Sequence, residues 1–363
     1  MLYRKYRPQT FDDVVGQETT VRILKNILTD GRIHHAYLFT GPRGVGKTSL
    51  ARILGKGLNC EKGPTTTPCG VCLNCVEIVE GRSLAVMEID GASNTSVDDI
   101  RDLREKVRYL APGGRFKIYI IDEVHMLSTA AFNALLKTLE EPPPHAVFVL
   151  ATTEPHKVPV TIISRCLRFD LRPIAVPHVV ERLGEIAKKE GIEATDEALF
   201  EISRESAGGL RDALGLLDQA ASFSQNRVTR EVVEEILGAS PRRFLTGIFS
   251  GVLQRDGKRV LEELQKSFQA GVDPRRLATE LLNFTRDLLV ATVSTDRTLF
   301  DLPEEEIGAL RKLGEEAGQQ TLDQLFQIIQ RGHFEIQKSP IPQILLESIN
   351  HTPPTMRRAL RPS

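Results

Sequence analysis

The 363-residue chain carries 47 Lys plus Arg against 48 Asp plus Glu, with 41% apolar and 26% charged residues. That balance is ordinary for a globular protein, excludes a chain that binds polyanions through its overall charge, and suggests about two or three domains. The N-terminus, MLYRKYRPQTFDDVV, is basic without the apolar run of a signal peptide, and no window reaches the roughly eighteen apolar residues of a membrane span, so a cytoplasmic chain with reduced thiols and no membrane partner is expected.

No internal repeat or low-complexity tract is visible, which sets solenoids aside. TTVRILKNILTDG places Val21, Leu24, Ile27 and Leu28 on one helical face, with Gly31 suited to the C-terminal cap. AYLFT, LAVMEID, FKIYIID, AVFVLAT and LRFDL are short runs rich in β-branched and aromatic residues, and the middle ones are apolar enough for burial on both faces. Separated by helical stretches, they predict βαβ units and a parallel five-stranded sheet in an α/β domain over 1–171. From Ile174 to about Leu237 the signals are helical only, clearest in LRDALGLLDQAASF, and predict a small helical lid over 172–238. A turn at GASPRR (238–243) opens an all-helical block over 239–363. There Leu322, Leu325, Phe326 and Ile329 recur at helical spacing and read as a core stripe, a face for a partner subunit being the alternative.

Between the AYLFT strand and the SLARILGKGL helix lies GPRGVGKTS: Gly41, Pro42, Arg43, Gly44, Val45, Gly46, Lys47, Thr48 and Ser49. It fits the phosphate-binding pattern G-x-x-x-x-G-K-[ST]. Glycines let successive N–H groups turn inward as an anion nest, and the helix N-terminus adds partial positive charge. Lys47 is expected to reach the β- and γ-phosphates and Thr48 to bind Mg²⁺. The run KIYIIDEVH ends a buried strand in Asp122 and Glu123, at the edge where open α/β sheets place ligands. Asp122 is expected to hold Mg²⁺ and Glu123 to polarise the attacking water. No guanine-reading N-K-x-D occurs, which favours ATP.

Four of the five cysteines, Cys60, Cys69, Cys72 and Cys75, fall within sixteen residues as C-x₈-C-x₂-C-x₂-C. Four thiolates with turn residues between them suit a closed tetrahedral Zn²⁺ site of the structural kind. An iron–sulfur cluster is the runner-up, and disulfides are disfavoured by compartment. Cys166 stands apart and reads as a small buried residue. The phosphate loop, on this reading, carries the chemistry, and the cysteine module is a stapled insertion behind its helix.

In order along the chain, YRPQTFDDVVGQ, GPRGVGKT, IDEVH, LATTEP, ISRC and GGLRDAL closely resemble the bacterial clamp-loader ATPases. These are the gamma/tau family of the DNA polymerase III holoenzyme, within the AAA+ superfamily. The resemblance is dense over residues 3 to about 240 and rests on length and helical character beyond. It implies that Thr153 senses the γ-phosphate, that Arg211 is the lid's phosphate sensor (a helix residue paired with Asp212 being the plain alternative), and that Pro8 and Val15 line the adenine pocket. It also implies zinc at the four cysteines. Arg165 is implied to be an arginine finger serving the neighbouring subunit, at the far edge of the sheet from its own phosphate loop, with a surface salt bridge as the plain alternative. The implied machine is a hetero-pentameric ring, held by its C-terminal domains, that uses ATP to open the sliding clamp and load it on primer–template DNA. Asn94, Thr95, Ser96 and Lys137 are candidate DNA-phosphate contacts, with helix capping and a solvated lysine as the plain alternative. A subunit without hydrolysis would lack Lys47 or Thr48. A branch-migration helicase or a protein unfoldase is the rival ATPase class, and a zinc scaffold would leave the phosphate motif unexplained.

Overall fold

The computed structural model describes residues 1–348 except 94–99, 101, 102, 104, 108, 111–113, 238–241, 301 and 303. Asn94, Thr95 and Ser96 therefore lie outside the described residues. The contacts divide the chain into two compact units, 1–229 and 230–363.

The first unit is built on five strands, β1 (Ala36–Thr40), β2 (Val86–Asp90), β3 (Lys117–Asp122), β4 (Ala146–Thr152) and β5 (Leu167–Asp170). All pairings in this sheet are parallel, in the order β2-β3-β4-β1-β5. Each expected strand is present. Strand β4 lies between β1 and β3, an order that local pattern does not specify.

Burial follows position in that order. All residues of β1 and β4 are buried, whereas the edge strand β2 exposes alternate positions and the edge strand β5 buries only Phe169. Parallel strands need helices on both faces, and the residues sort by the two-residue period. Tyr37, Phe39, Ile118, Ile120, Val147 and Val149 face one core, with Leu24, Leu28, Leu50 and Leu54 from covering helices. Ala36, Leu38, Tyr119, Ile121, Phe148 and Leu150 face the other, with Leu135 and Leu139. The helix Glu18–Asp30 ends at Gly31 in the left-handed region (φ 67°), as the cap chemistry predicts. The same unit contains the helices Val176–Glu190, Asp196–Glu205 and Leu210–Phe223. It adds a parallel pairing of Glu193–Ala194 with Arg227–Val228, too short to leave a periodic signal in the sequence.

Among its described residues the second unit contains helices joined by short turns and no strand. Its core includes Leu245, Phe249, Leu277, Phe284 and Leu288, with Phe249 and Phe284 edge-on at 5.6 Å. Leu322 is fully buried there and Leu325 and Ile329 pack against it. The core-stripe reading holds for these three, while Phe326 is half-buried outside the cluster. Among the described residues no helix is long and apolar enough to cross a membrane.

One buried amide fastens the cysteine segment to the sheet. Asn59, 1% exposed, ends the helix Lys47–Asn59. Its Oδ1 accepts from the N–H groups of Arg115 and Phe116, both at 2.9 Å, and its Nδ2 donates to the Phe116 carbonyl at 3.0 Å. Its own carbonyl accepts from Asn74 Nδ2 at 2.8 Å. Truncating that side chain leaves three part-buried backbone groups at the entrance to β3 without their partner. Asn59→Ala is expected to cost about 2–4 kcal/mol, read as a lower urea midpoint for the first unit. An unchanged midpoint would show that water replaces these bonds.

Candidate functional site

At the carboxyl ends of the strands, the loop after β1 turns directly into the helix Lys47–Asn59. Gly41, Gly44 and Gly46 have φ of 137°, 78° and 108°, a region open to glycine at little cost. A Cβ at Gly41 would lie 2.3 Å from the Leu171 carbonyl oxygen, and one at Gly44 would lie 3.0 Å from Gly209 Cα. The loop is therefore gripped between β5's continuation and the start of the helix Leu210–Phe223. No side chain caps the helix at Gly46, so its first N–H groups are left to a ligand or to water.

Around this loop opens a cleft of about 890 Å³. Arg43, Gly44, Val45, Gly46, Lys47, Thr48 and Ser49 line it, together with Pro8, Val15, Asp122, Glu123 and Arg211. Gly41 and Pro42 are not on its wall; their carbonyls accept from Lys47 Nζ at 2.8 and 2.7 Å. The Val45 side chain is buried in the core, which leaves only its backbone to face a ligand. Lys47 is 6% exposed. Burial lowers its pKa, opposed by the nearby Glu123 and Asp122 carboxylates.

Asp122 and Thr48 meet across the cleft floor, the Thr48 hydroxyl donating to Asp122 Oδ2 at 2.7 Å. That separation is near the roughly 3 Å between adjacent oxygens on an octahedral Mg²⁺ with 2.0–2.1 Å bonds, so the pair fits such an ion. Glu123 follows with φ 46°, left-handed for a residue with a Cβ, a conformation that costs on the order of 1 kcal/mol. Thr153, directly after β4, donates from Oγ1 to Glu123 Oε2 at 3.0 Å. His125 Nδ1 approaches the same oxygen at 3.4 Å. Insertion of β4 beside β3 is what brings Thr153 to Glu123.

The N-terminal segment forms one wall because Arg7 and Lys56 anchor it. Arg7 Nε donates to Ser49 Oγ at 3.3 Å, and Lys56 Nζ bonds the Gln9 carbonyl and, at 3.1 Å, Gln9 Oε1. Burial lowers the pKa of Arg7, with Arg52 the next cause. Arg211 carries its guanidinium over the Tyr3 ring, 5.3 Å from the centroid, a cation–π contact in place of the pairing with Asp212 that its sequence neighbour suggests. Arg7, Tyr3 and His125 escaped sequence reasoning. The aromatic and basic pattern of YRKYR carried the first two, but nothing local connects His125 to β4.

Arg165 is not in this cleft. It precedes β5 at the opposite, amino-terminal edge of the sheet, in a shallow cavity with His34, His35, Glu140 and Cys166. Its guanidinium donates to Glu140 Oε1 at 2.7 Å and to the Thr161 carbonyl at 2.8 Å. Lys137 lies on the helix Thr129–Glu140, also away from the cleft's lining residues. Cys166 is half-buried rather than buried, packed against the second sheet core, and burial pushes its thiol up to about 12.

All five cysteines are free thiols. The sulfurs of Cys60, Cys69, Cys72 and Cys75 lie within 4.8 Å of one another, against about 3.8 Å for the edge of a tetrahedron with 2.3 Å Zn–S bonds. Cys60 follows the helix Lys47–Asn59, Cys72 precedes Leu73–Glu80, and Cys75 lies in its first turn. The Cys69 N–H donates to Cys60 Sγ at 3.4 Å and the Cys72 N–H to Cys69 Sγ at 3.3 Å. Amides of Val71 and Cys72 lower the Cys69 thiol to about 6, whereas burial raises Cys75. The cluster fits a four-thiolate metal site.

Residues 16–175 match a family model described as DNA polymerase III, delta subunit. Residues 178–226 match the DNA polymerase III clamp loader subunit, ATPase lid domain. Residues 228–349 match domain III of DNA polymerase III subunits gamma and tau. DNA polymerase III subunit tau of Bacillus subtilis (strain 168) is 43% identical over 348 residues, 95% of this chain and 62% of that protein. DNA polymerase III subunit gamma of Buchnera aphidicola subsp. Acyrthosiphon pisum (strain APS) is 40% identical over 353 residues, 96% of both chains. The chain spans about half to three fifths of the length of the first tau relatives it matches. Among solved structures, the Thermotoga maritima RuvB Holliday junction branch migration motor aligns with a TM-score of 0.48 at 22% identity, over 67% of this chain and 79% of that one.

Proposed function

This chain belongs to the DNA polymerase III gamma/tau family, and we propose that it is the ATP-driven motor subunit of a replicative clamp loader. The observation that carries this reading is the convergence of Lys47, Thr48, Asp122 and Glu123 in one cleft beside the lid's Arg211. In this role the N–H groups of 43–49 and Lys47 bind the triphosphate of ATP, with Gly41 and Pro42 holding Lys47 through their carbonyls, and Pro8 and Val15 flank the adenine. Thr48 and Asp122 hold Mg²⁺, which supplies charge neutralisation on the phosphates. Glu123 orients the attacking water and accepts its proton, Thr153 reads the γ-phosphate through that carboxylate, and Arg211 couples the lid to it.

The amino-edge position of Arg165 supports action on a second chain. The register aligns Leu167 with Tyr37. Arg165, in the turn before β5, shares a cavity with His34 and His35, which precede β1, whereas Gly41 follows it, so the five residues of β1, about 17 Å at 3.3 Å per residue, lie between the two. We assign it to the ATP of the neighbouring subunit in a hetero-pentameric ring, with 1–171 as the ATP-binding segment, 172–238 as the lid and 239–363 as the collar joining subunits. The sliding clamp and primer–template DNA are the proposed substrates of the assembly. We assign the four cysteines to structural zinc, closed to substrate and stapling the insertion behind the phosphate-loop helix.

The test is ATP hydrolysis by the chain with candidate partner subunits. Activity is expected to rise with primed DNA plus clamp and to stay flat with unfolded protein; the reverse would favour an unfoldase. Lys47→Ala is expected to abolish nucleotide binding, whereas Glu123→Gln binds ATP and hydrolyses it slowly. Equal binding and equal turnover in both variants would overturn these roles. Elemental analysis should find one zinc per chain, with Cys60→Ala lowering the melting temperature more than the ATP affinity. Substoichiometric zinc alongside four freely titrating thiols would contradict the metal assignment.

A further inference from the structure

We infer that His125 is a positioning residue for Glu123, tying the water-orienting carboxylate to the buried end of β4; the role rests on the ATPase reading above. His125 lies in the 3-10 turn Val124–Met126, immediately after the left-handed Glu123. Its side chain is only 8% exposed, yet it is a polar ring at a site where a leucine would pack as well. The ring points inward for a bond. Nδ1 sits 2.9 Å from Thr152 Oγ1, and Thr152 is fully buried and paired with Thr40 of β1.

Hydrogen-bond capacity narrows the arrangement. Thr152 Oγ1 already accepts the Glu154 N–H at 3.0 Å, which fixes the hydroxyl in place. An ionised carboxylate only accepts, so the approach of Nδ1 to Glu123 Oε2 at 3.4 Å is favourable when Nδ1 carries a proton. That proton then lies between Thr152 Oγ1 and Glu123 Oε2. Thr153 donates to Oε2 as well, and among the described residues no hydrogen bond is drawn to Oε1. One carboxylate oxygen is thus held from the β4 side in a residue that lines the cleft. Without His125, Glu123 loses one of its two side-chain supports while Lys47, Thr48 and the loop are untouched, so substrate binding survives and alignment suffers.

The experiment compares wild type, His125→Leu and His125→Asn as full chains with partner subunits, primed DNA and clamp. His125→Leu is expected to lower kcat by about ten- to a hundredfold, the scale of a misplaced reacting group, with KM and ATP affinity within about twofold. His125→Asn restores a polar atom near Nδ1 and is expected to recover kcat to within about threefold of wild type. Leucine as fast as wild type, or asparagine as slow as leucine, overturns the role. A second measurement needs no turnover: the His125 Nδ1 resonance in ¹⁵N-labelled chain should move on Thr152→Val and on Glu123→Gln, and an unmoved resonance removes the tie itself. A wild type that hydrolyses no ATP while the resonance moves would instead overturn the ATPase reading and leave the tie standing.

Discussion

All five strands of the sheet run the same way, so whatever follows a strand gathers at one edge and whatever precedes a strand gathers at the other. This constraint arranges the whole first unit. The phosphate loop follows β1, Asp122 ends β3 with Glu123 directly after it, and Thr153 follows β4; all meet at the carboxyl edge. Arg165 precedes β5 and is carried to the amino edge with His34 and His35. No rotamer change spans the length of a five-residue strand, about 17 Å, so an arginine there reaches a γ-phosphate only if a second chain presents one. In the isolated chain it pairs with Glu140.

Close backbone approach does the rest of the positioning. Gly44 touches Gly209 and Gly41 touches the Leu171 carbonyl, so the phosphate loop, the end of the sheet and the lid form a single contact. Arg211 extends from that contact into the cleft and stacks on Tyr3. A ligand that displaces the loop or draws Arg211 inward acts on the lid directly, the physical requirement for nucleotide to bias a two-state assembly. Asn59 extends the same chain of contacts rearward, from the phosphate-loop helix to the entrance of β3 and the cysteine cluster.

Much of this was legible in the amino-acid order because the signals are local. Strand runs such as KIYIID and AVFVLAT announce themselves by composition, glycine spacing marks the loop, and C-x₂-C-x₂-C brings its thiols together through tight turns. Strand order was not legible, since the placing of β4 between β1 and β3 is decided by pairing across long stretches of chain. What depends on that order was hidden too: His125 against Thr152, and the support of Glu123 from two directions. The contact of Arg211 with Tyr3 was hidden as well, because only the return of the N-terminal segment over the cleft supplies that ring. Cys166 read as buried because it is small and solitary, but its place before the edge strand β5 leaves it half covered.

The central claim is that the complete ATP site belongs to two chains. It is tested most directly by hydrolysis in rings assembled from mixtures of Arg165→Ala and Lys47→Ala chains with the partner subunits, on primed DNA with clamp. Rings holding only one of these variants should fall well below wild type, by about 10³–10⁵ where the finger is missing, as typical for such groups. The account predicts that mixing restores hydrolysis, because a Lys47→Ala chain still offers Arg165 to the intact cleft of its neighbour. No recovery on mixing, or loss of ATP binding by the isolated Arg165→Ala chain, would contradict it.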